Sequence, residues 1–351
     1  MTKRRFVFLD GLRGIAAFSV AWLHAGIDFN QKYFPAHGYL AVDFFFCLSG
    51  FVVAYAYEAR IKTGMAFGVF CAARFTRLYP MIFMAALLAN AIYVLATPLV
   101  GFSQLMLLSA SVFLLLPFGL FFHLQAFPAN GPVWSLCFEV FANALYFADA
   151  KQAVPQFRKY VVILACFGIA LGFIIIRVGT VSAVGFASPQ SFIAGFTRVL
   201  YSFLVGVMIF RFGGGNLCVR LPGWVLVAIL ALVLCMPVPP EPWIYDIVAI
   251  LIIFPVIVAL GAKVQPGGMA PVWEFCGRMS YPLYIIHQPV MRATHYLFYP
   301  GVGRPYPAFV ALASLLISTV LAYVLLVAFD EPLRLRLTPR RKPAGTEASA
   351  D

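Results

Sequence analysis

Stretches of about twenty apolar residues recur along this chain at short intervals, and that recurrence narrows its possible folds more than any other feature. A helix that crosses a bilayer needs about 20 predominantly apolar residues. Eleven segments approach that: roughly 7–27, 38–57, 78–97, 104–122, 133–149, 160–177, 192–210, 222–238, 243–261, 277–297 and 307–329. Of the 351 residues 63% are hydrophobic and only 11% are charged, with a mean hydropathy of +0.92. A soluble domain carries about 25% charged residues, so a water-exposed surface cannot be built from this chain. The 36 Phe, 16 Tyr and 5 Trp supply too much apolar surface for disorder. The fold class is therefore an all-α polytopic membrane helical bundle.

The net charge of +12 calls for no nucleic acid, because cytoplasmic loops of membrane proteins accumulate Lys and Arg. The run after Met1 is interrupted by Asp10, Arg13 and His24, which reads as a retained first helix rather than a cleaved signal. If 104–122 dips in from the outer side instead of crossing, 19 of the 25 basic residues fall on one face. Lys32, Arg177 and Arg304 fall on the other, and Arg13, Arg198 and Arg292 lie at membrane depth. This bookkeeping gives about ten transmembrane helices with both termini cytoplasmic. Residues 104–122 become an outer-side re-entrant or interfacial segment. Residues 1–332 form one integral-membrane domain, and 333–351 a basic, disordered cytoplasmic tail. The seven cysteines are scattered without a CxxC pair, so neither a metal nor a disulfide framework is expected.

Ionisable residues at membrane depth are costly and usually mark function or a partner. Arg13 and His24 are eleven residues apart, within about 20° of one helical face and roughly 16 Å along the axis. Asp10 is placed to pair with Arg13 at i,i+3. Asp43 lies in the outer half of the second span, at a depth comparable with His24, where a carboxylate orients an imidazole. Arg74 and Arg77 form a doubly cationic patch, read either as ordinary positive-inside anchoring or as a clamp for phosphates. Ser135, Glu139 and Asn143 make an i,i+4,i+8 polar stripe after the helix start at Asn130 to Pro132, and a buried Glu there is hard to attribute to packing. Ser280, Tyr284 and His287 share a face of the ninth span.

The segments LDGLRGIAAFSVAWLHA, GYLAVDFFFCLSGF, RFTRLYP, NGPVWSLCFEVFANALY and GRMSYPLYIIHQP resemble, in order, the signatures of the family 3 membrane acyltransferases. The match runs from Phe8 to about Pro332. The family's Arg-x10-His pattern falls on Arg13 and His24, its paired arginines on Arg74 and Arg77, and its Trp-Ser-x-x-x-Glu motif on Trp134, Ser135 and Glu139. Its late Ser-Tyr…His stretch falls on Ser280, Tyr281 and His287.

The resemblance implies a multi-pass enzyme of the cell inner membrane. It would move an acyl group, commonly acetyl, from cytoplasmic acyl-CoA to a hydroxyl of a carbohydrate or lipo-oligosaccharide. His24 would act as general base, Asp43 or Glu139 would orient it, and Arg13 would hold the donor or polarise its thioester. Arg74, Arg77, Trp134, Ser135, Tyr284 and His287 would bind substrate, and no metal is expected. Tyr33, Phe34, Phe121, Phe122, Tyr299 and Tyr306 in the outer loops suit stacking on sugar rings, as they suit a membrane interface. The 16 Å between Arg13 and His24 leaves a long donor channel and an acyl-enzyme relay both open. A proton-coupled transporter of ten spans is the reading from another class, although no inverted repeat is evident. The unrelated membrane-bound O-acyltransferases fit poorly, because His24 lies in the first span.

Overall fold

The computed structural model describes residues 5–30, 35–96, 101–152, 156–213, 221–298 and 307–337. Thirteen α-helices and no β-strand occur among them. They are α1 (Val7–Asp28), α2 (Ala41–Lys62), α3 (Phe67–Ala96), α4 (Phe102–Leu114), α5 (Val133–Ala150), α6 (Phe157–Val178), α7 (Pro189–Met208), α8 (Gly223–Cys235), α9 (Pro242–Val248), α10 (Phe254–Gly261), α11 (Ala270–Phe298), α12 (Pro307–Leu325) and α13 (Glu331–Leu337). π-Helical turns extend α7 over Ile209–Gly213, join α9 to α10 over Ala249–Ile253, and join α12 to α13 over Leu326–Asp330.

Seven of the resulting rods are long and apolar enough to cross a bilayer: Val7–Asp28, Gly38–Lys62, Phe67–Ala96, Phe157–Val178, Pro189–Gly213, Pro242–Gly261 and Pro307–Leu337. The other three expected spans fall short of that measure for separate reasons. Helix α5 is long enough at 18 residues but is made less apolar by Glu139, Asn143 and Asp149, and α8 has only 13 residues. Helix α11 has 29 but carries Glu274, Arg278, His287, Arg292 and His295. Side chains such as Val162, Ile169, Phe173 and Ile176 on α6 stand exposed, an apolar face that water would not tolerate over so large an area. The helix expected to have ended by residue 332 continues through Leu337. The remainder of the expected tail lies outside the described residues, as do Tyr33, Phe34, Tyr299 and Tyr306.

The segment expected to dip rather than cross does turn back. The start of α3 meets the end of α5, with the Phe67 and Phe70 rings 5.1 and 5.3 Å from that of Phe147. The chain thus leaves α3 and enters α5 at the same end of the bundle, and what lies between cannot make a net crossing. Helix α4 runs back along α3, with Asn90 Nδ2 donating to the Ser109 carbonyl and Tyr79 Oη to that of Phe113. Its 13 residues span about 20 Å, less than the ~30 Å apolar thickness of a bilayer. It stops at Leu115 in the left-handed region, φ 55°.

Two close helix pairs set the frame. Helix α1 lies against α11, where a Cβ on Gly14 would collide with the Cys276 carbonyl. Helix α2 lies against α7, where a Cβ on Gly206 would collide with the Cys47 carbonyl. Small residues permit such approach, and in lipid this packing stands in for a hydrophobic driving force.

Asp43 and Arg198 then lock α2 to α7. Arg198 Nε and Nη2 donate to the two Asp43 carboxylate oxygens at 2.9 and 2.7 Å. Nη1 donates to the carbonyls of Val181 and Val184, and Nη2 also to that of Tyr39. All five guanidinium N–H groups are thereby used, in a pair that is 1% or less exposed. Beside it Asp246 accepts from Tyr39 Oη, Thr180 Oγ1 and the Val181 amide.

Removing one partner of a buried ion pair costs about 3–5 kcal/mol, whereas apolar replacement of both is often neutral. Asp43→Ala is therefore expected to lower the thermal unfolding midpoint of detergent-solubilised protein far more than the double change Asp43→Leu with Arg198→Met. Equal losses in the single and double variants would contradict a mainly structural role for the pair.

Candidate functional site

One turn before the end of α1, His24 meets His287 of α11, so that the two helices each contribute one imidazole to a shared pair. His24 Nδ1 lies 2.7 Å from His287 Nε2, with ring centroids 4.9 Å apart and ring planes 14° from parallel. His287 Nδ1 lies 3.1 Å from the carbonyl of Leu283. A carbonyl only accepts, so His287 Nδ1 carries a proton and its Nε2 is the acceptor. His24 Nδ1 must then be the donor, which leaves the lone pair of the first imidazole on Nε2. The chain of bonds selects one tautomer at each ring, as an orienting partner does for any base.

The side chain that the structure places against His24 is this second imidazole, not Asp43 or Glu139. Asp43 is committed to Arg198, as described above. Glu139 Oε1 accepts from Arg74 Nη2 at 2.6 Å and from Ser49 Oγ at 2.9 Å. Both acids neutralise buried cations, which is what a low-dielectric interior demands of a charge.

Toward the N-terminal halves of α1 and α11 opens a cavity of about 390 Å³, lined by Asp10 and Arg13 of the first and by Gly277 to Tyr284 of the second. Six arginines (5, 13, 74, 77, 278 and 334) and three carboxylates (Asp10, Glu139 and Glu331) line it. Arg13 is pinned to α11 as well as to its own helix. Its Nε donates to Ser280 Oγ at 2.8 Å, its Nη2 to the Gly277 carbonyl at 3.0 Å, and Nη2 also lies 3.3 Å from Asp10. Arg278 pairs bidentately with Glu331. Arg74 is buried on Glu139, while Arg77 lines the same cavity. Ser135 and Tyr284 also line it, with their hydroxyl oxygens 2.7 Å apart. The Tyr284 ring lies 6.1 Å from that of His287, so the cavity comes within one aromatic ring of the pair.

Trp134, expected to bind substrate, is buried away from this lining. Its indole covers the Arg198 guanidinium at 5.3 Å, a cation–π contact that supports the α2–α7 lock.

A second cavity, of about 400 Å³, lies at the opposite ends of the same helices and is lined by Asp28, Ile92, Tyr93, Ala96, Pro128, Arg292, His295 and Tyr296. Asp28 follows His24 by one turn on α1, about 6 Å along the axis, and Arg292 follows His287 by five residues on α11. The segment before α5 is fastened over this region. Pro289 has no amide hydrogen to give the Ile285 carbonyl, and Asn130 Nδ2 donates to that carbonyl at 3.0 Å instead. Arg292 donates to the Pro128 carbonyl.

The cavity thus brings together Arg13, Arg74, Arg77, Ser135, Glu139 and Tyr284; His24 and His287 lie behind the Tyr284 ring, and Asp43 and Trp134 lie outside the lining, packed on Arg198. Arg198 is the partner that residue-by-residue reading left without one. The available signal was a cation at membrane depth, which requires a carboxylate. Asp28 closes a helix whose charge pattern drew attention to its other end. Among the described residues, no three His, Cys, Asp or Glu side chains converge as a metal site.

A family model described as an acyltransferase domain matches residues 6–327 of this chain. The chain is also similar to "Protein 2 in picA locus" of Rhizobium radiobacter, at 36% identity over 48% of this chain and 93% of that protein. No solved structure matches.

The bond chain predicts an uncommon pair of tautomers. In ¹⁵N NMR of histidine-labelled protein at neutral pH, both His24 and His287 should be protonated at Nδ1 and bare at Nε2. A His24 ring protonated at Nε2 and bare at Nδ1 would contradict this arrangement.

Proposed function

The chain belongs to the acyltransferase-domain family, and from that premise we propose that it is an O-acyltransferase whose two cavities receive its two substrates from opposite faces of the membrane. It is a multi-pass membrane enzyme. In the reading we favour, about ten segments cross the bilayer, both termini are cytoplasmic, and the arginine-lined cavity opens to the cytoplasm of a bacterial cell at its inner membrane. The donor is an acyl-CoA, with acetyl-CoA the expected form, and the acceptor is a hydroxyl of a carbohydrate or lipid-linked glycan. The observation that carries this reading is that, along α1 and α11, the His24–His287 pair falls between the residues that line one cavity and those that line the other.

The arginine surplus in the first cavity suits the phosphates of the donor, because guanidinium groups bind phosphate oxygens by charge-assisted, often bidentate bonds. Arg77 is the better candidate for that contact, since Arg74 is already bound to Glu139. The volume of about 390 Å³ lies at the lower end of the roughly 300–1,000 Å³ of small-molecule sites. It accommodates a slender arm rather than a whole cofactor. Arg13, held between Asp10 and Ser280, lines the route without being free to swing. Tyr284 and Ser135 stand near its inner end.

The donor supplies an acyl carbon activated as a thioester. His24 Nε2, kept unprotonated by the bond from Nδ1 to His287, takes the proton of the acceptor hydroxyl as its oxygen attacks that carbon. His287 holds the imidazolium in place through the same bond. The proton on His24 is then delivered to the departing CoA sulfur. One base positioned between two openings accounts for direct transfer and needs no covalent enzyme intermediate.

Release of free CoA from acetyl-CoA, measured on purified protein with acceptor present, tests the reading. General-base catalysis contributes about 10²–10⁴-fold, so His24→Ala is expected to lower transfer by that range while donor binding persists. Undiminished transfer would remove His24 from the chemistry. Arg77→Ala is expected to raise the donor KM about tenfold, the scale of one lost hydrogen bond to a charged group, with little change in kcat. An unchanged donor KM would place the phosphates elsewhere.

A further inference from the structure

The second cavity contains chemistry that the transfer step does not use. Asp28 accepts from Gln288 Nε2 at 3.3 Å, and the carboxylate lines the cavity with the guanidinium of Arg292. Tyr93 and Tyr296 add two aromatic rings with hydroxyls, and His295 adds an imidazole. The remaining lining is apolar or backbone. One acid and one guanidinium balance, in contrast to the six arginines against three carboxylates of the first cavity. The floor is fixed rather than loose, because the Pro128 carbonyl receives Arg292 and Asn130 is tied to Ile285.

We propose that this cleft is the acceptor subsite and that it selects an uncharged, polyhydroxylated ring, a neutral pyranoside unit. This rests on the acyl-transfer reading above for its biological meaning, though not for the binding itself. A carboxylate accepts bonds from neighbouring hydroxyls on a sugar, and a guanidinium donates to hydroxyl and ring oxygens. Tyrosine rings cover the apolar C–H face of a pyranose while their hydroxyls bond its rim. The cleft's formal charges cancel, so it offers no net attraction for an anionic glycan. A simple aliphatic alcohol brings a single hydroxyl and cannot bond to both the carboxylate and the guanidinium as a polyhydroxylated ring can. Asp28 lies one helical turn beyond His24, so a ring held there presents a hydroxyl toward the base.

Saturation-transfer NMR on the protein in nanodiscs separates the possibilities without relying on turnover. The probes are methyl β-D-glucopyranoside and maltotriose as neutral saccharides, methyl β-D-glucuronide as an anionic one, and 1-hexanol as a plain alcohol. CoA binding to each variant, by calorimetry, controls for folding and for the first cavity. The expected result is binding of the neutral saccharides, weakened about tenfold or more in Asp28→Asn, with CoA affinity unchanged. Should Asp28→Asn fail to bind CoA, Tyr296→Ala, at an exposed position, provides the same test. No neutral saccharide bound, equal saccharide binding in these variants, or preference for the glucuronide or hexanol would overturn the proposal. Saccharide bound at Asp28 without acetyl transfer to any acceptor would instead overturn the acyltransfer reading and leave the subsite standing.

Discussion

The close approach of α1 to α11 is the contact on which the rest depends. Gly14 lets the two backbones meet at one end of the interface, and Arg13 bridges them through Ser280 and the Gly277 carbonyl. Eleven residues further along α1, the same interface brings His24 to His287. The spacing of the two ends is set by helical rise, so the charged entrance and the imidazole pair cannot shift independently. Asp28, Gln288 and Arg292 continue that line to the other end. A single helix pair thus contributes to both cavities and carries the imidazole pair in the stretch between their linings.

The bundle uses its buried charges in two different ways. Asp43 with Arg198, and Arg211 with Glu58 and Asp149, are closed networks that hold helices together. Their donors and acceptors are matched within the protein, which is how ions are tolerated away from water. In the first cavity Arg5, Arg13, Arg74, Arg278 and Arg334 are also in ion pairs, whereas Arg77 has no carboxylate within ion-pair distance among the described residues and is the cation that an anionic substrate would neutralise. Burial alone does not separate the two uses; the pairing does.

Helical class, the inward dip of 104–122 and the shared face of Arg13 and His24 were all legible in the sequence, because period and length are local properties. The turn-back of α4 follows from 13 residues being too few for the bilayer core, and charge placement on the flanks had pointed the same way. The partners of Asp43 and Glu139 were not legible. Each sits at a suitable depth to serve His24, but which cation or base a carboxylate meets is decided by helix neighbours 65 to 155 residues away. Trp134 shows the same limit: the motif marks it, and packing assigns it to Arg198. Asp28 went unread because a carboxylate at a helix end is ordinary until the structure lines a cavity with it.

The most direct measurement is an electron cryomicroscopy structure of the protein in a nanodisc with a non-hydrolysable acyl-CoA analogue bound. The account predicts phosphates among the arginines beside Arg77, the arm passing Tyr284, and the acyl carbonyl next to His24 on the side of Nε2. A donor bound outside the arginine-lined cavity, or an acyl group held far from the histidine pair, would contradict it.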